Sequence, residues 1–365
     1  MGCKQPISLS SLTLSFELIE RVADFLFETQ PPDDSAPVPI CSTKSLWKDV
    51  KGFMNASTQL RKIGFMRWMG VLKIKQPEDW DTAKRYSSWV RELQCEDGSL
   101  ISPSCRRILV RLERLYAVSI DAHSDVTHNN YSQFAYRNLV QALPPSLRRL
   151  EITRAHGPDM HIIAIVKEYC PNLEELRLGR RTIFNSPVVC DFWRSFLFDH
   201  DSYMSSQDTD SYAHSLAQEL SPLRTLKSLR LGLYLIPSTT VLAHRIYHIR
   251  NVPTPAAIEW QQAVPQAPLL APDADALAEP DSQSEHAAIE QPISLLHNFN
   301  SANEFNTSRI CTMCLEAVDH ISRSAETSAN VILKELVPSL EKIQWMNWLS
   351  PRHLDLNTYL STSFG

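Results

Sequence analysis

Glycine is scarce in this chain, with nine among 365 residues. That leaves little of the backbone freedom a phosphate-cradling loop needs, and no glycine-rich loop of that kind is present. No Gly-x-Ser-x-Gly elbow occurs. The carboxylates are dispersed, so no pair stands out as general acid and base. No run approaches the ~20 apolar residues of a membrane-spanning helix. The first residues lack the apolar core of a secretory signal, although they open Met1-Gly2-Cys3. Pro6 holds the sixth position, where N-myristoylation favours Ser or Thr. No basic block breaks the net charge of -5, so nucleic-acid binding has no electrostatic footprint. Cys3, Cys41, Cys95, Cys105, Cys170, Cys190, Cys311 and Cys314 show no disulfide-framework spacing. Reduced thiols in the cytoplasm or nucleus are expected.

The same scarcity extends to metal sites. Cys311-x-x-Cys314 has no second ligand pair at a zinc spacing, and His297 and His320 complete no finger pattern. His244-x-x-x-His248 lacks the glutamate of a zinc protease and has no evident third ligand. The expectation is no catalytic residue, no metal, no cofactor and no enzyme activity.

What the chain has in quantity is one recurring phrase, Leu-x-x-Leu-x-Leu. Its clearest copies are Leu173/Leu176/Leu178, Leu226/Leu229/Leu231 and Leu147/Leu150/Ile152. Looser ones are Met69/Leu72/Ile74, Val90/Leu93/Cys95, Leu112/Leu115/Ala117 and Leu340/Ile343/Trp345. Such a phrase makes a short strand whose alternate apolar residues point into a core. Pro144, Pro171 and Pro222 stand two to four residues before three of the first leucines. Helical patterns precede them at Phe134 to Leu143, Met160 to Tyr169 and Tyr212 to Leu220. Proline stops the helix and the strand follows. Repetition of such units predicts a solenoid, with strands near 71–74, 91–95, 113–118, 148–153, 174–178, 227–231 and 341–346 in one mostly parallel sheet.

Four stretches are expected. Residues 12–75 read as a helical module: an amphipathic helix over 12–28, a proline-rich loop over 29–42, and further helices from Leu46 to Trp68. Thr13 or Ser15 can cap the first helix. Residues 76–249 form the repeat body, with a polar insertion from Phe198 to Ser211. Residues 250–308, rich in Pro, Ala, Gln and acidic residues, have too little apolar surface to order themselves and read as a linker or insertion. Residues 309–349 hold a long helix and a last copy of the phrase, VPSLEKIQWMNW. The tail after Leu349 is expected to fray. The aromatics Trp80, Trp89, Phe192, Trp193, Phe196 and Phe198 fit either core packing or a partner-binding patch.

The strings LPPSLRRLEI, CPNLEELRL and LSPLRTLKSLRL resemble the irregular leucine-rich repeats common in F-box proteins. The spacing of first leucines is uneven, and the Asn or Cys that closes the standard motif is absent after Leu178 and Leu231. An irregular arc is therefore expected. SFELIERVADFL and LWKDVKGFMNASTQLRKIGFMRW resemble the helices of an F-box, in the form numerous in fungi. Leu14-Ser15 stands where that motif opens Leu-Pro, and Leu60 where it carries a tryptophan.

The resemblance implies a fold: an α/β irregular leucine-rich-repeat solenoid behind an N-terminal F-box-like module. It also implies a role, that of a substrate-recruiting adaptor of a cullin–RING ubiquitin ligase. The partners would be a Skp-type linker subunit and a protein target, with no nucleic acid and no membrane. Leu14, Phe16, Leu18, Val22, Phe25 and Leu26 are the expected linker-docking residues. The alternative is a repeat scaffold with no ubiquitin role, the helical module then being a cap. Burial of the first helix discriminates: an exposed apolar ridge favours docking. For the target, the outward row Glu151, Arg177 and Arg230 is expected to line up on one exposed face, so that reversing both arginines would leave folding intact.

Overall fold

A computed structural model describes residues 15–27, 39–128, 134–157, 159–180, 209–233, 235, 312–346 and 356–360. The chain is α/β. Seven parallel strands lie side by side in chain order: β1 (Val71–Ile74), β2 (Glu92–Cys95), β3 (Ala117–Asp121), β6 (Arg149–Ala155), β7 (Glu175–Arg180), β8 (Ser228–Gly232) and β9 (Lys342–Met346). β10 (Leu356–Leu360) adds an antiparallel edge to β9. The numbering gap is a separate two-stranded hairpin, β4 (Val126–His128) with β5 (Phe134–Tyr136).

The leucine phrase accounts for the parallel sheet. Its second and third positions stand in register in six of the seven strands, and in β3 their places are taken by Val118 and Ile120, three residues beyond the expected Leu115 and Ala117. One ladder runs Leu72, Leu93, Val118, Leu150, Leu176, Leu229, Ile343 and the other Ile74, Cys95, Ile120, Ile152, Leu178, Leu231, Trp345. All are buried. Period-two alternation places both ladders on one face. A leucine closes a turn into β3, β6, β7, β8 and β9, its N–H donating three residues back: Leu115 to Leu112, Leu147 to Pro144, Leu173 to Cys170, Leu226 to Leu223 and Leu340 to Val337.

Helices cover the apolar face. They are α4 (Asp79–Arg85), α5 (Pro103–Val110), α6 (Asp159–Tyr169), α7 (Thr209–Leu220) and α8 (Thr312–Leu336). Trp80, Leu109, Ile163, Val166, Leu216 and Leu333 join the strand leucines in one cluster. Trp80 is therefore core, while Trp89 is half-buried and stacks with Tyr86. Phe192, Trp193, Phe196 and Phe198 lie outside the described residues. The strands pack tightly at their ends. A Cβ on Gly232 would meet the backbone N of Arg180 at 2.7 Å and the carbonyl O of Leu178 at 2.9 Å, so only glycine fits there.

Three helices precede the sheet: α1 (Phe16–Phe27), α2 (Trp47–Ala56) and α3 (Thr58–Gly70). Ser15 accepts from the N–H of Leu18 at 3.4 Å and Ser57 from that of Leu60 at 3.1 Å, each a cap for a first-turn donor. Gly64 lets α3 close on its neighbours, since a Cβ there would meet Met54 Cγ at 2.6 Å. Arg67 on α3 holds α1 through Glu20 and through Asp24 at 2.7 Å. α3 runs directly into β1.

Four expectations require correction. Phe134 to Leu143 is not a helix: Phe134–Tyr136 pairs with Val126–His128, and the following residues bury Leu139, Val140 and Leu143 from irregular backbone. β3 begins at Ala117 rather than near 113, because Leu112 and Leu115 enter the core from a turn. The tail is not all frayed, since Leu356–Leu360 pairs along β9 and covers a strand edge that would otherwise stand open. The fourth, the exposure of Arg177, belongs to the candidate site. The polar insertion expected from Phe198 to Ser211 is described only from Thr209, where α7 begins; the rest of it, residues 250–308, Cys311 and the pair His244/His248 lie outside the described residues. No helix among the described residues is long and apolar enough to cross a membrane.

Candidate functional site

Two faces are candidates for binding partners. The first is on α1, which carries apolar residues on two sides. Ile19, Ala23, Leu26 and Phe27 recur at helical spacing and turn inward. Ala23 is fully buried, and Phe27 packs edge-on against Phe53 with ring centres 6.1 Å apart. Leu18, Val22 and Phe25 recur at i, i+4 and i+7 on the other side and are 49%, 46% and 78% exposed. Phe16 is exposed at the first turn. Of the six expected docking residues, then, four are exposed, Leu26 is half-buried in the module, and Leu14 lies outside the described residues. Leu46 and Trp47, at the start of α2, are also exposed. A helix exposing three large apolar side chains in one stripe has an unpartnered face.

The second candidate is the sheet face opposite the leucine ladders. Parallel sheets are ordinarily buried on both faces and apolar throughout. Here one row reads Lys73, Gln94, Ser119, Glu151, Arg177, Arg230, Gln344, in register across seven strands. Its members are linked. Ser119 Oγ donates to Glu151 Oε2 at 2.6 Å. Arg177 Nη1 lies 3.4 Å from Glu151 Oε1, and its Nε and Nη2 reach Glu175 Oε1 at 2.7 and 2.6 Å. Arg230 donates through Nε and Nη2 to Gln344 Oε1 at 3.1 and 3.0 Å.

Glu151, Arg177 and Arg230 therefore share one row, but the row is not uniformly exposed. Arg177 is 7% exposed, held between two carboxylates, whereas Glu151 and Arg230 are half-buried. The expected exposure therefore fails at Arg177, and reversing both arginines is expected to cost stability. Burial, with adjacent Arg177 adding to it, lowers the Arg230 guanidinium to about 10, so it stays charged at neutral pH.

Part of this face is covered by the chain itself. Ile40 and Cys41 are buried against Ala117, and Ser42 donates from its N–H and its Oγ to the Glu92 carboxylate. The end of the proline-rich loop thus lies over β2 and β3 and ties the helical module to the sheet. Burial, helped by Glu92 and Glu151, raises the Cys41 thiol to about 12. Burial likewise raises Cys170 to about 12. Neither is a ready nucleophile.

A separate polar cluster sits beyond the carboxyl ends of β2, β3 and β6. Asp125 accepts from the backbone N–H groups of His156 and Gly157 at 2.9 and 2.7 Å, and its Oδ1 lies 2.9 Å from His156 Nδ1. His123 faces Asp97 at 3.7 Å, and the two imidazoles are 5.2 Å apart. Among the described residues no group of three or more His, Cys, Asp or Glu could hold a metal ion. Burial alone would raise Asp97, but hydrogen bonds from His123 and Ser124 outweigh it and hold its carboxyl at about 2. The folded pKa lies below the ordinary 3.8, so this group's stabilisation is complete above about pH 4 and is lost as pH falls toward 2. Asp97→Asn should flatten that part of the acid limb in urea-midpoint measurements taken from pH 5 to 2. An acid limb unchanged by the substitution would remove Asp97 as a contributor.

Comparison with known protein families, with curated proteins and with solved structures finds no match for this chain. The class that the geometry defines is an α/β chain with one helix-covered face, one polar sheet face and an N-terminal helix with an unpartnered apolar side.

Proposed function

We propose that the chain is a substrate-recruiting adaptor of a cullin–RING ubiquitin ligase. α1 docks on a Skp-type linker subunit, and the polar sheet face holds a protein target. The chain does no chemistry. It tethers the target and so raises its effective concentration at the ligase. The observation that carries this reading is the exposed stripe Leu18, Val22 and Phe25 on a helix whose opposite side is already packed. A mere cap would bury its apolar residues against the repeats. Support for an irregular leucine-rich-repeat solenoid comes from seven parallel strands laid down in chain order, five of them entered by the same leucine turn. The mixed charges of the row through Glu151, Arg177 and Arg230 suit a polar protein partner.

The test is co-purification of the full chain with a Skp-type linker subunit. Association is expected, and Leu18→Ser with Phe25→Ser should weaken it at least tenfold, as loss of apolar anchors does. Both positions are exposed, so the urea midpoint should hardly move. Absence of association for the native chain would defeat the reading and leave the repeat scaffold.

A further inference from the structure

The sheet's helix cover is interrupted once. Among the described residues, each crossover from β1 to β9 contains a helix except the one from β3 to β6, which contains the β4–β5 hairpin instead. A cavity of about 280 Å³ lies there, beyond the carboxyl ends of β3, β6 and β7. The missing crossover helix leaves this end of the sheet open. β6 is shaped around the cavity. Its register with β7 shifts between Ile152 and Ala155, and Arg154 takes a positive φ of 56°, a conformation that side chains other than glycine rarely adopt. Asp125 then pins the emerging His156 and Gly157, and the backbone N–H of Arg137 donates to the Asp125 carbonyl, fixing the hairpin's return.

The lining has two chemistries. Ile152, Leu178, Leu139 and Val140 supply apolar walls, and Asp159 and His161 the polar end, with the half-exposed Tyr136 at the rim. Asp125 already has three donors. The Asp159 side chain is only 10% exposed, and among the described residues its ion-pair partner is Arg180, with Nε at 3.4 Å. A carboxylate has about four acceptor sites, so Asp159 retains capacity for a donor. Its charge is already countered by Arg180, so a cation would gain little there, and an anion would have to lie against the Asp159 carboxylate.

We infer that this cavity binds a small neutral molecule with an apolar body and one hydroxyl group, the hydroxyl donating to Asp159. The volume lies just under the range of about 300–1,000 Å³ typical of ligand pockets, so the body is fragment-sized. This site is independent of the linker-docking helix and of the polar row, and stands or falls apart from the proposed ligase role.

Three probes of matched shape decide it, titrated calorimetrically into the full chain: 4-propylphenol, 4-propylanisole, which cannot donate, and 4-propylbenzoate, which is anionic. The phenol should bind roughly tenfold or more tighter than the anisole, the ratio expected for a hydrogen bond to a charged group. It should also bind tighter than the benzoate. Ile162→Trp, at the half-buried rim, should abolish phenol binding and leave the far-ultraviolet dichroism unchanged. Equal binding of phenol and anisole would overturn the donor contact, and preference for the benzoate would overturn the neutral ligand. Binding that survives in Ile162→Trp would overturn the location, and no binding by any probe would overturn the site. Should Ile162→Trp not fold, the ranking on the native chain still decides the ligand's chemistry.

Discussion

Arg177→Glu should destabilise the chain by about 3–5 kcal/mol, the range found when one member of a buried ion pair is removed. Arg177 is 8% exposed in its side chain and contacts Glu151 and Glu175. Reversal would bring three carboxylates together in a site with little water. The same substitution at Arg230 should behave differently. Arg230 donates to the neutral amide of Gln344, and its repulsion from Arg177 is opposed by attraction to Glu151 and Glu175, so Arg230→Glu exchanges interactions of both signs that partly cancel. A change within about 1 kcal/mol is expected there, in the range of partly exposed ion pairs. Urea midpoints of the two single variants make the comparison. Equal midpoints would show that the Glu151–Arg177–Glu175 contact contributes nothing to stability. Target capture is then tested cleanly with Arg230→Glu alone, because loss of capture in an Arg177 variant would confound binding with folding.

The contrast between these two arginines marks where sequence reading stops. Arg177 and Arg230 occupy the same place in the same phrase, and period-two alternation puts both on the polar face. Register was legible in six of the seven strands because the leucines fix it, a slip by one residue turning every leucine to the other face, whereas in β3 the phrase lies three residues later than Leu112/Leu115/Ala117. Burial on the polar face was not, since it depends on which side chains meet across strands distant in sequence. Glu151 and Glu175 reach Arg177, while Arg230 has Gln344, 114 positions away, as its neighbour.

The misread helix has a similar cause. Tyr136, Leu139, Val140 and Leu143 recur at helical intervals, and the last three are indeed buried. Periodicity reports burial, and a helix is only one way to produce it. The strand pairing of Phe134–Tyr136 with Val126–His128 is a tertiary fact, written in neither segment alone. That misreading falls on the cavity, in keeping with the tendency of local rules to fail at functional or strained sites. β10 was missed for a different reason: it carries no leucine phrase, and its pairing depends on the open edge of β9. On α1 one apolar stripe, through Leu18, Val22 and Phe25, was visible as helical spacing, but the second, through Ile19, Ala23 and Phe27, was not, and it packs inward because of Gly64, Phe53 and Arg67 on the neighbouring helices.

Trp345→Ala should be the most damaging single truncation in the carboxyl-terminal part of the sheet. Trp345 ends the second core ladder beside Leu231 and is fully buried. Its indole N–H donates to Asn330 Oδ1 at 2.8 Å, and Asn330, on α8, is itself buried. Truncating a buried tryptophan costs about 3–5 kcal/mol through lost burial and the cavity left behind. The stranded Asn330 carbonyl adds about 1–3 kcal/mol, because it loses its donor without gaining water. Together these approach the whole stability of an ordinary domain, about 5–15 kcal/mol. Trp345→Phe separates the two contributions, since it keeps most of the volume and loses only the hydrogen bond. Its urea midpoint should fall between those of the native chain and Trp345→Ala. Asn330→Leu made on top of Trp345→Phe should recover part of the loss by removing the orphaned polar group. Hydrogen exchange reports where the damage lands: in Trp345→Ala, amides of α8 and β9 should lose protection before those of β1 to β3. Uniform loss of protection from β1 to β9 would mean that the sheet unfolds as one cooperative unit and that Trp345 does not hold α8 in particular.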